Sequence, residues 1–363
     1  MELYSRQLGF LIFMYLLGSA LIFVPESIIT QDVWISTILA SFVGLYLLHI
    51  LIVLQELYPG QSIMQIAELA FGKLVGQVLN LLYIWSILLV AMLILFDAMV
   101  FLKIIYLTTP EILLAIAMMC TSCYVIFHGL IAIGRLSDIF IWPIIALVVL
   151  GFAASFPLFD YSNIPPILAN VKQIFGGTIY AANWPFAELV VIALLLPYVV
   201  DLKKNKKHLY FWFGAGSIAL TIRSLLVLGI LGKYLEVSRY PFYDIFRLVQ
   251  FQEFQRVELF FFILFFTTVM SAIVITHKTL VLGLQHFFRL KSRHALVVPV
   301  GFLILALMYD SFPSDVGFLA TQAASTVFVT FPIYILYPTM VFIMAKLKHR
   351  KNSRKDIEVR GEV

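Results

Sequence analysis

The chain has 363 residues, of which 62% are hydrophobic, 15% aromatic and only 12% charged, and its formal net charge is +5. Soluble domains carry about a quarter charged residues, so this composition excludes a soluble enzyme or a soluble nucleic-acid-binding domain. Apolar segments repeatedly reach the roughly 20 residues that cross the hydrocarbon core of a bilayer. The sequence therefore predicts an all-α polytopic membrane protein.

Ten apolar segments are predicted to span the membrane, and we number them spans 1 to 10 in chain order. They cover approximately residues 7–29, 33–57, 77–102, 111–127, 138–156, 177–200, 208–232, 258–285, 295–310 and 318–345. The first is longer than the apolar region of a cleavable signal, and no small-x-small cleavage site follows it.

The charges of the connecting segments predict the orientation. With the N-terminus in the cytoplasm, 17 lysines and arginines lie in cytoplasmic segments and six lie in the outer loops. Positively charged residues concentrate on the cytoplasmic side of membrane proteins. Both termini are therefore expected in the cytoplasm, and the net charge reflects topology rather than a surface for nucleic acid.

Ten spans divide into two sets of five. Because each set has an odd number of spans, the second is inserted upside down relative to the first, as in the inverted repeats of many secondary transporters. We predict a single transmembrane domain over residues 1–345, with repeats at about 7–156 and 177–345. Residues 346–363 form a polar cytoplasmic tail that is expected to be disordered.

Two connecting segments have helical patterns. Ser62 and Gln65 have the spacing of a capping box, which predicts a short interfacial helix over residues 62–71. Between spans 7 and 8, apolar residues recur at helical spacing over residues 241–257. This second segment is expected to lie along the outer rim, where it either covers an outward vestibule as a lid or rests in the lipid headgroups.

Span 1 contains three adjacent small residues, Gly18, Ser19 and Ala20, followed by Pro25 and Glu26. Small residues in a membrane helix either let a neighbouring helix pack closely or mark a place where the backbone leaves the helix. An unwound turn is tolerated in a membrane only where its polar groups are buried in protein or face a cavity. The N–H groups that start the outer half-helix then bind a carboxylate.

Span 6 has a corresponding interruption at Asn183, Trp184, Pro185 and Phe186. Pro185 has no N–H group, so the carbonyl four residues earlier loses its helix partner and becomes an acceptor for a substrate ammonium group. Trp184 and Phe186 either line the pocket or pack as ordinary membrane aromatics, whereas a buried Asn183 amide needs partners. Breaks at corresponding places in the two halves of a transporter fold point to a substrate site.

Charged and hydroxyl side chains lie within several spans. Glu188, beside the second break, is costly in the membrane when it is charged, and it is a structural cap, a proton-coupling carboxylate or a direct contact to substrate. Arg223 in span 7 is expected to have an acidic partner. Thr268 and Ser271 in span 8 either line a ligand or cation site, or bond back to carbonyls of their own helix.

The chain lacks the motifs of nucleotide hydrolases, metalloproteases and serine hydrolases, so no enzymatic activity is expected. Cys120 and Cys123 form a C-x-x-C in an apolar span, without a second pair or nearby histidines. This setting disfavours a zinc or redox site. We therefore expect neither a cofactor nor a metal.

Motifs spread over most of the chain resemble those of one protein family. In chain order they are Tyr4 with Gln7 and Leu8, Gly18-Ser19-Ala20 with Pro25, Asp32-x-Trp34-Ile35, Leu57-Tyr58-Pro59-Gly60-x-Ser62, Phe71-Gly72-Lys73, Thr109-Pro110, Arg135-Leu136-Ser137-Asp138, Phe159-Asp160-x-x-Asn163-x-x-Pro166-Ile167-Leu168, Pro185-Phe186-Ala187-Glu188-Leu189, and Leu196-Pro197 before a lysine run. In this order and spacing the chain resembles the B-subunit family of endospore germinant receptors, a branch of the amino acid–polyamine–organocation transporter superfamily.

The resemblance implies a LeuT-like core with broken spans 1 and 6, a place in the spore inner membrane, and assembly with an A-type membrane subunit and a C-type lipoprotein. The implied function is to bind a small nutrient, such as an amino acid, between spans 1, 3, 6 and 8 and to signal germination. The implied ligand-binding residues are Gly18, Ser19, Ala20, Tyr83, Leu88, Asn183, Trp184, Phe186, Thr268 and Ser271. The alternative is a proton- or sodium-coupled amino acid permease, because the same fold and pocket serve either role.

Overall fold

The computed structural model describes residues 2–21, 32–164, 168, 171–238, 240–249, 258–312 and 329–361. Its α-helices are, in chain order, α1 (Ser5–Ala20), α2 (Val33–Leu57), α3 (Ile63–Phe71), α4 (Lys73–Ile105), α5 (Glu111–Phe127), α6 (Gly129–Ser155), α7 (Val171–Ala181), α8 (Leu202–Asn205), α9 (Lys207–Leu231), α10 (Pro241–Leu248), α11 (Glu258–Phe287), α12 (His294–Ser311) and α13 (Phe331–Gly361). Between α7 and α8 the chain forms π- and 3₁₀-helical segments over residues 182–194 and 196–198.

Each of the ten predicted spans contains at least one described helical segment. Within the described ranges, eight helical segments are long and apolar enough to cross a membrane, and α5 is a shorter apolar helix. The buried helix α1, of 16 residues, occupies the first part of span 1. The prediction of an all-α polytopic membrane protein is confirmed. The second part of span 1, with Pro25 and Glu26, and residues 318–328 of span 10 lie outside the described residues.

Helix α1 is enclosed by α6, α9, α11 and the interrupted span 6. Every α1 residue except Arg6 is buried. Glycine allows the closest helix contact: a Cβ atom on Gly18 would lie 2.3 Å from the backbone oxygen of Thr268 in α11. Small residues permit such close packing between membrane helices, so the packing role considered for Gly18 is observed.

The first residues of the chain are tied to neighbouring elements by a set of contacts that we call the N-terminal clasp. Leu3 forms a parallel β-bridge with Val199, with two backbone hydrogen bonds of 3.0 and 3.1 Å. Arg6 Nη2 lies 3.0 Å from Asp138 Oδ1 of α6, and Gln7 Nε2 donates to Asp138 Oδ2 at 2.7 Å. The clasp therefore closes one end of the bundle around the start of α1.

The short helix α3 begins as the sequence predicts. The Gln65 N–H group donates to Ser62 Oγ at 3.2 Å, and the Ser62 N–H group donates to Gln65 Oε1 at 2.8 Å. These two bonds satisfy N–H groups that a helix start otherwise leaves without partners. Lys348 of α13 donates to the backbone oxygen of Leu69 at 2.6 Å, so α3 is also anchored at its other end.

The amphipathic segment between spans 7 and 8 forms α10. Its apolar residues Phe242, Ile245 and Phe246 are buried. The rings of Phe242 and Phe261 of α11 meet edge to face with centroids 5.7 Å apart. The apolar face of α10 therefore packs on the bundle rather than in the headgroups. Residues 250–257 of the predicted segment lie outside the described residues.

Two helix boundaries differ from the predicted ones. Helix α6 starts at Gly129 rather than near residue 138, because Gly129 adopts a φ of +85° and lets the chain reverse directly after His128. Such positive φ values are easy only for glycine. Helix α13 continues to Gly361, through the tail that the sequence predicts to be disordered. Neither proline nor glycine lies between Pro338 and Gly361 to end it.

Candidate ligand-binding site

Both predicted interruptions lie where an α-helix ends. Helix α1 stops at Ala20, so the Gly18–Ala20 stretch forms its last turn. Helix α7 stops at Ala181, and Trp184 has an extended backbone with φ −129° and ψ 115°. The chain then resumes as a 3₁₀ helix at Ala187–Leu194. The break in span 6 follows from Pro185, because proline removes an N–H donor and clashes with the preceding turn of an α-helix.

Two side chains from the second half of the sequence cap the end of α1. Trp184 Nε1 donates a hydrogen bond to the backbone oxygen of Ser19. Arg223 of α9 donates through Nη1 to the backbone oxygen of Ala20. The last carbonyl groups of a helix have no partner within it, and a cation is favourable at that end of the helix dipole. The break in span 1 is therefore held by span 6 and by α9.

A side-chain hydrogen bond joins the two interruptions directly. Ser19 Oγ donates to Glu188 Oε2 at 2.5 Å, and both residues are 1% exposed. Burying a carboxyl group is costly unless hydrogen-bond donors reach it. Ser19 is such a donor, so the contact stabilises Glu188 in the bundle and at the same time fixes the distance between α1 and span 6.

Tyr15 lies one helical turn before Ser19 on α1, so both project from the same side of this helix. Its side chain is fully buried, and its hydroxyl has no hydrogen-bond partner in the described part of the chain. Glu188, Tyr83 and Tyr334 are close enough to Tyr15 to interact with it electrostatically. Spans 1, 3, 6 and 10 thus each contribute a polar side chain to this buried region.

The remaining predicted residues of span 6 have defined contacts. Thr330, which precedes α13, donates through Oγ1 to Asn183 Oδ1 at 3.1 Å, so the buried amide has the partner that it requires. The ring of Phe186 meets that of Phe213 of α9 with centroids 6.0 Å apart. A Cβ atom on Gly44 of α2 would lie 2.9 Å from Phe186 Cβ. Phe186 therefore packs between α2 and α9 as a membrane aromatic.

In span 3, Tyr83 contacts the segment that follows the break. Its hydroxyl donates to the backbone oxygen of Val190 at 2.8 Å, and its ring stacks on Tyr337 of α13 with centroids 4.7 Å apart. A 3₁₀ helix leaves carbonyl groups more poorly bonded than an α-helix does, so Tyr83 stabilises this part of span 6. Leu88 is half-buried on the same helix α4.

Polar contacts continue from Tyr337 to the end of the bundle that carries α3. The Tyr337 hydroxyl donates to Asn80 Oδ1 at 2.9 Å, and Asn80 Nδ2 donates to Glu68 Oε1 at 3.4 Å. His286 Nε2 lies 3.2 Å from the same Glu68 oxygen. Through Tyr83, this chain connects the interrupted span 6 with α3 and with the end of α11.

In span 8, Thr268 and Ser271 take different positions. Thr268 is buried and its hydroxyl donates to the backbone oxygen of Leu264 at 2.8 Å. This is the bond within its own helix, one of the two alternatives that the sequence allowed. Its backbone oxygen faces Gly18. Ser271 lines a cavity of about 400 Å³ between α1, α5, α6 and α11.

The structure thus brings several predicted residues together by direct hydrogen bonds, namely Ser19 with Glu188 and Trp184 with Ser19. Leu88 and Ser271 are not among the residues joined in this way. Sequence reasoning missed Tyr15, Thr330 and Tyr334 at the site and the bond from Arg223 to Ala20. The one available signal was the spacing of Tyr15 and Ser19, which places both on one face of α1.

Comparisons with known proteins agree over most of the chain. A family model described as spore germination protein matches residues 2–316. The chain is 25% identical to spore germination protein KB of Bacillus subtilis (strain 168), over 96% of each chain. It is 21% identical to spore germination protein A2 of the same organism, over 92% of this chain and 93% of the relative. With spore germination protein YndE, also of that organism, the identity is 22% over 95% and 97%.

Proposed function

The chain belongs to the spore germination protein family, and on this premise we propose that it is the B-type subunit of a spore germinant receptor. In this role it binds a small nutrient, such as an amino acid, between spans 1, 3, 6 and 8 and signals germination. The observation that carries the proposal is the direct contact between the two interrupted spans, where Ser19 bonds to Glu188 and Trp184 bonds to Ser19.

An ionised Glu188 carboxylate suits the ammonium group of an amino acid. In the structure its carboxyl group accepts a hydrogen bond from the neutral hydroxyl of Ser19. A hydrogen bond between an ammonium and a carboxylate is charge-assisted and roughly twice as strong as a bond between neutral groups. The nutrient therefore competes with Ser19 as a donor to Glu188, and this exchange removes one of the two hydrogen bonds by which span 6 holds the end of α1.

The same contacts support a LeuT-like 5+5 inverted repeat within a single transmembrane domain. Each break lies in the first span of its predicted set of five, and the two breaks touch. Helix α1 is packed against α6 from its own set and against α9 and α11 from the other set. Folds of this kind bind their substrates near the bilayer midplane, at the interface of the repeats.

The receptor resides in the spore inner membrane with both termini in the cytoplasm, which places the N-terminal clasp and α3 at the cytoplasmic face. A ligand shifts a conformational equilibrium only by its differential affinity for the two states. Here the differential contact is the one to Glu188, and the affected element is α1 with its clasp. An A-type membrane subunit and a C-type lipoprotein read the change, and no enzymatic step is involved.

Reconstitution of the full chain in proteoliposomes tests this role. We expect saturable binding from at least one member of a panel of labelled amino acids, without concentrative uptake. Glu188→Gln is expected to weaken that binding by more than tenfold. Ser155→Ala is a matched control, because in the described part of the chain this buried hydroxyl bonds only to Gly151, within its own helix α6. Folded protein that binds no member of the panel would contradict an amino acid as the ligand.

A proton- or sodium-coupled amino acid permease is the second candidate, and the burial of Glu188 at the break favours it. Intramembrane carboxyl groups serve as proton carriers in many transporters. The same proteoliposomes distinguish the two functions. Saturable, concentrative uptake by the chain alone, abolished in Glu188→Gln, would establish the permease and overturn the purely sensory role.

A further inference from the structure

A cavity of about 400 Å³ lies between α1, α5, α6 and α11, and we call it the lateral groove. Leu11 and Met14 of α1, with Met270 and Val274 of α11, form its inner wall, and all four are buried. None of the described residues at the two breaks lines it. The groove is therefore a site separate from the contact between Ser19 and Glu188.

Two close helix contacts lie on either side of Leu11 and Met14, the α1 residues that line the lateral groove. At one end, a Cβ atom on Gly134 of α6 would lie 2.7 Å from the side chain of Gln7. At the other end, a Cβ atom on Gly18 would lie 2.3 Å from Thr268 of α11. The eleven residue-to-residue steps from Gln7 to Gly18 correspond to a rise of about 16 Å along α1. The hydrocarbon core of a bilayer is roughly 30 Å thick, and the acyl chains of one leaflet fill about half of it. The rise along α1 therefore matches the depth of one leaflet.

The mouth of the groove opens toward the hydrocarbon of the bilayer. Thr121, Phe140 and Phe266, which line the groove on spans 4, 5 and 8, are exposed on the surface of the bundle. Ile139 and Trp142 beside them on α6 are 63% and 65% exposed. On membrane-spanning helices, large apolar side chains at the surface of the protein contact lipid instead of water. Whatever fills the groove therefore enters from the apolar phase.

The walls of the groove present apolar surface although hydroxyl residues line it. Thr121 donates to Ala117 O at 2.9 Å, Ser137 to Gly134 O at 2.7 Å and Thr267 to Ile263 O at 2.7 Å, each within its own helix. Among the residues that the structure describes, those lining the groove carry no charge. A polar ligand would lose its hydrogen bonds to water here and find few groups to replace them. An apolar chain has no such hydrogen bonds to lose.

From this shape, position and chemistry we propose that the lateral groove binds one acyl chain of a bilayer phospholipid. The chain lies along the first part of α1 between its contacts to α6 and α11. Because α1 also carries Ser19, the acyl chain supports the helix that takes part in the candidate ligand-binding site. Helix α1 is thus packed against protein on its other sides and against a lipid acyl chain in the groove.

A phospholipid with a photoactivatable diazirine in its acyl chain tests the proposal on the full chain in liposomes. After irradiation, mass spectrometry locates the modified residues. We expect adducts on Leu11 and Met14, which are only 2% and 3% exposed and are reached only through the groove. Adducts on Phe211 of α9, which is 65% exposed, report ordinary contact with lipid. Adducts on Phe211 without any on α1 would overturn the proposal.

Filling the groove provides the matched comparison. Val274→Phe is expected to reduce the adducts on α1 at least tenfold and to leave those on Phe211 unchanged. Ile218→Phe enlarges a 62% exposed residue of α9 outside the groove and is expected to change neither. If Val274→Phe does not fold, Thr121→Phe fills the exposed mouth instead. Adducts on α1 that persist in a folded, filled variant would contradict an acyl chain as the occupant.

Discussion

The hydroxyl of Ser19 donates a 2.5 Å hydrogen bond to Glu188 Oε2 across 169 positions in the sequence. It connects the last turn of α1 with the segment that follows the break in span 6. Both side chains are almost completely buried, so neither group exchanges this partner for water. Any ligand that reaches Glu188 as a donor therefore competes with an element of the fold, which couples binding to the position of α1.

Glu188→Gln keeps an acceptor for Ser19 and removes the charge of the carboxylate. We expect nutrient binding to weaken by more than tenfold, because the charge-assisted bond is lost, while the thermal unfolding temperature changes by only a few degrees. Glu188→Ala also deprives the buried Ser19 hydroxyl of its partner, which is expected to lower the free energy of unfolding by about 1–3 kcal/mol. Titration calorimetry and thermal unfolding measure the two effects. Equal nutrient affinity in the wild type and Glu188→Gln would show that the charge of Glu188 does not contribute to nutrient binding.

Gly18→Ala is expected to destabilise the bundle. The added methyl group would lie 2.3 Å from the backbone oxygen of Thr268, so α1 and α11 must move apart, at a cost of about 1–3 kcal/mol in the free energy of unfolding. Gly176→Ala in α7 is the control, because no atom of the described residues lies within 4 Å of its added Cβ atom. That substitution is expected to be neutral or stabilising by up to about 1 kcal/mol. Similar denaturant midpoints for the two variants would contradict the close packing of Gly18.

Loss of the ion pair in the N-terminal clasp is expected to loosen the start of α1. The side chains of Arg6 and Asp138 are 61% and 28% exposed, and such surface pairs contribute about 0–1 kcal/mol. In a background of Cys120→Ser and Cys123→Ser, a cysteine placed at the buried Leu8 reports opening by its reaction with a thiol reagent. Arg6→Ala is expected to raise this rate about two- to fivefold.

The reversed pair, Arg6→Asp with Asp138→Arg, is the control for this measurement. It restores the attraction between α1 and α6 and is expected to bring the labelling rate back toward that of the parent. The hydrogen bond from Gln7 to Asp138 is lost in this pair, so the recovery is partial. A labelling rate that is the same in the parent, Arg6→Ala and the reversed pair would show that the ion pair does not hold the clasp.

A further contact at the start of α1, from the Ser5 N–H group to Asp201, has a predicted dependence on pH. Partial burial raises the pKa of the Asp201 carboxyl, but hydrogen bonds from the Ser5 N–H group at 2.6 Å and from Asn205 at 2.7 Å outweigh it, so the pKa lies below its usual value. The stabilisation is complete above the unfolded-state pKa of about 3.9. It is lost as the pH falls through the lower folded-state pKa.

Hydrogen exchange of the Ser5 amide measures this dependence. We expect its protection to be constant at neutral pH, after correction for the intrinsic exchange rate, and to fall at pH values below about 4. Asp201→Asn is expected to show weaker protection at neutral pH and no such acid transition. Loss of protection in the wild type between pH 8 and pH 5 would point to a different titrating group.

Several features of the fold follow from local sequence. The spans are recognisable because a membrane offers no water to backbone groups, so a crossing segment must be helical and apolar over its whole length. The start of α3 is equally local, since Ser62 and Gln65 satisfy each other's backbone. Pro185 interrupts span 6 through its own missing N–H group. The early start of α6 at Gly129 was missed, because glycine permits a positive φ without requiring it.

The candidate site was predictable only in outline. The residue types of the Gly18–Ala20 stretch predicted either close packing or a break. The structure shows the close packing of Gly18 against Thr268 and ends α1 at Ala20, and residues 22–31 lie outside the described residues. Ser271 was expected beside the breaks because it shares span 8 with Thr268. It lines the lateral groove instead. The residues are three positions apart, and which neighbour each one faces depends on how α11 packs.

The sequence by itself determined the class of protein, the positions of the spans and the break in span 6, because hydrophobic length and proline chemistry act within a few residues. Only the tertiary structure decided that Ser19 meets Glu188, that Arg223 caps Ala20 and that Thr330 reaches Asn183. These contacts join residues more than 140 positions apart. They exist because close packing sets the rotation and depth of each helix, and a linear pattern of apolar residues leaves both undetermined.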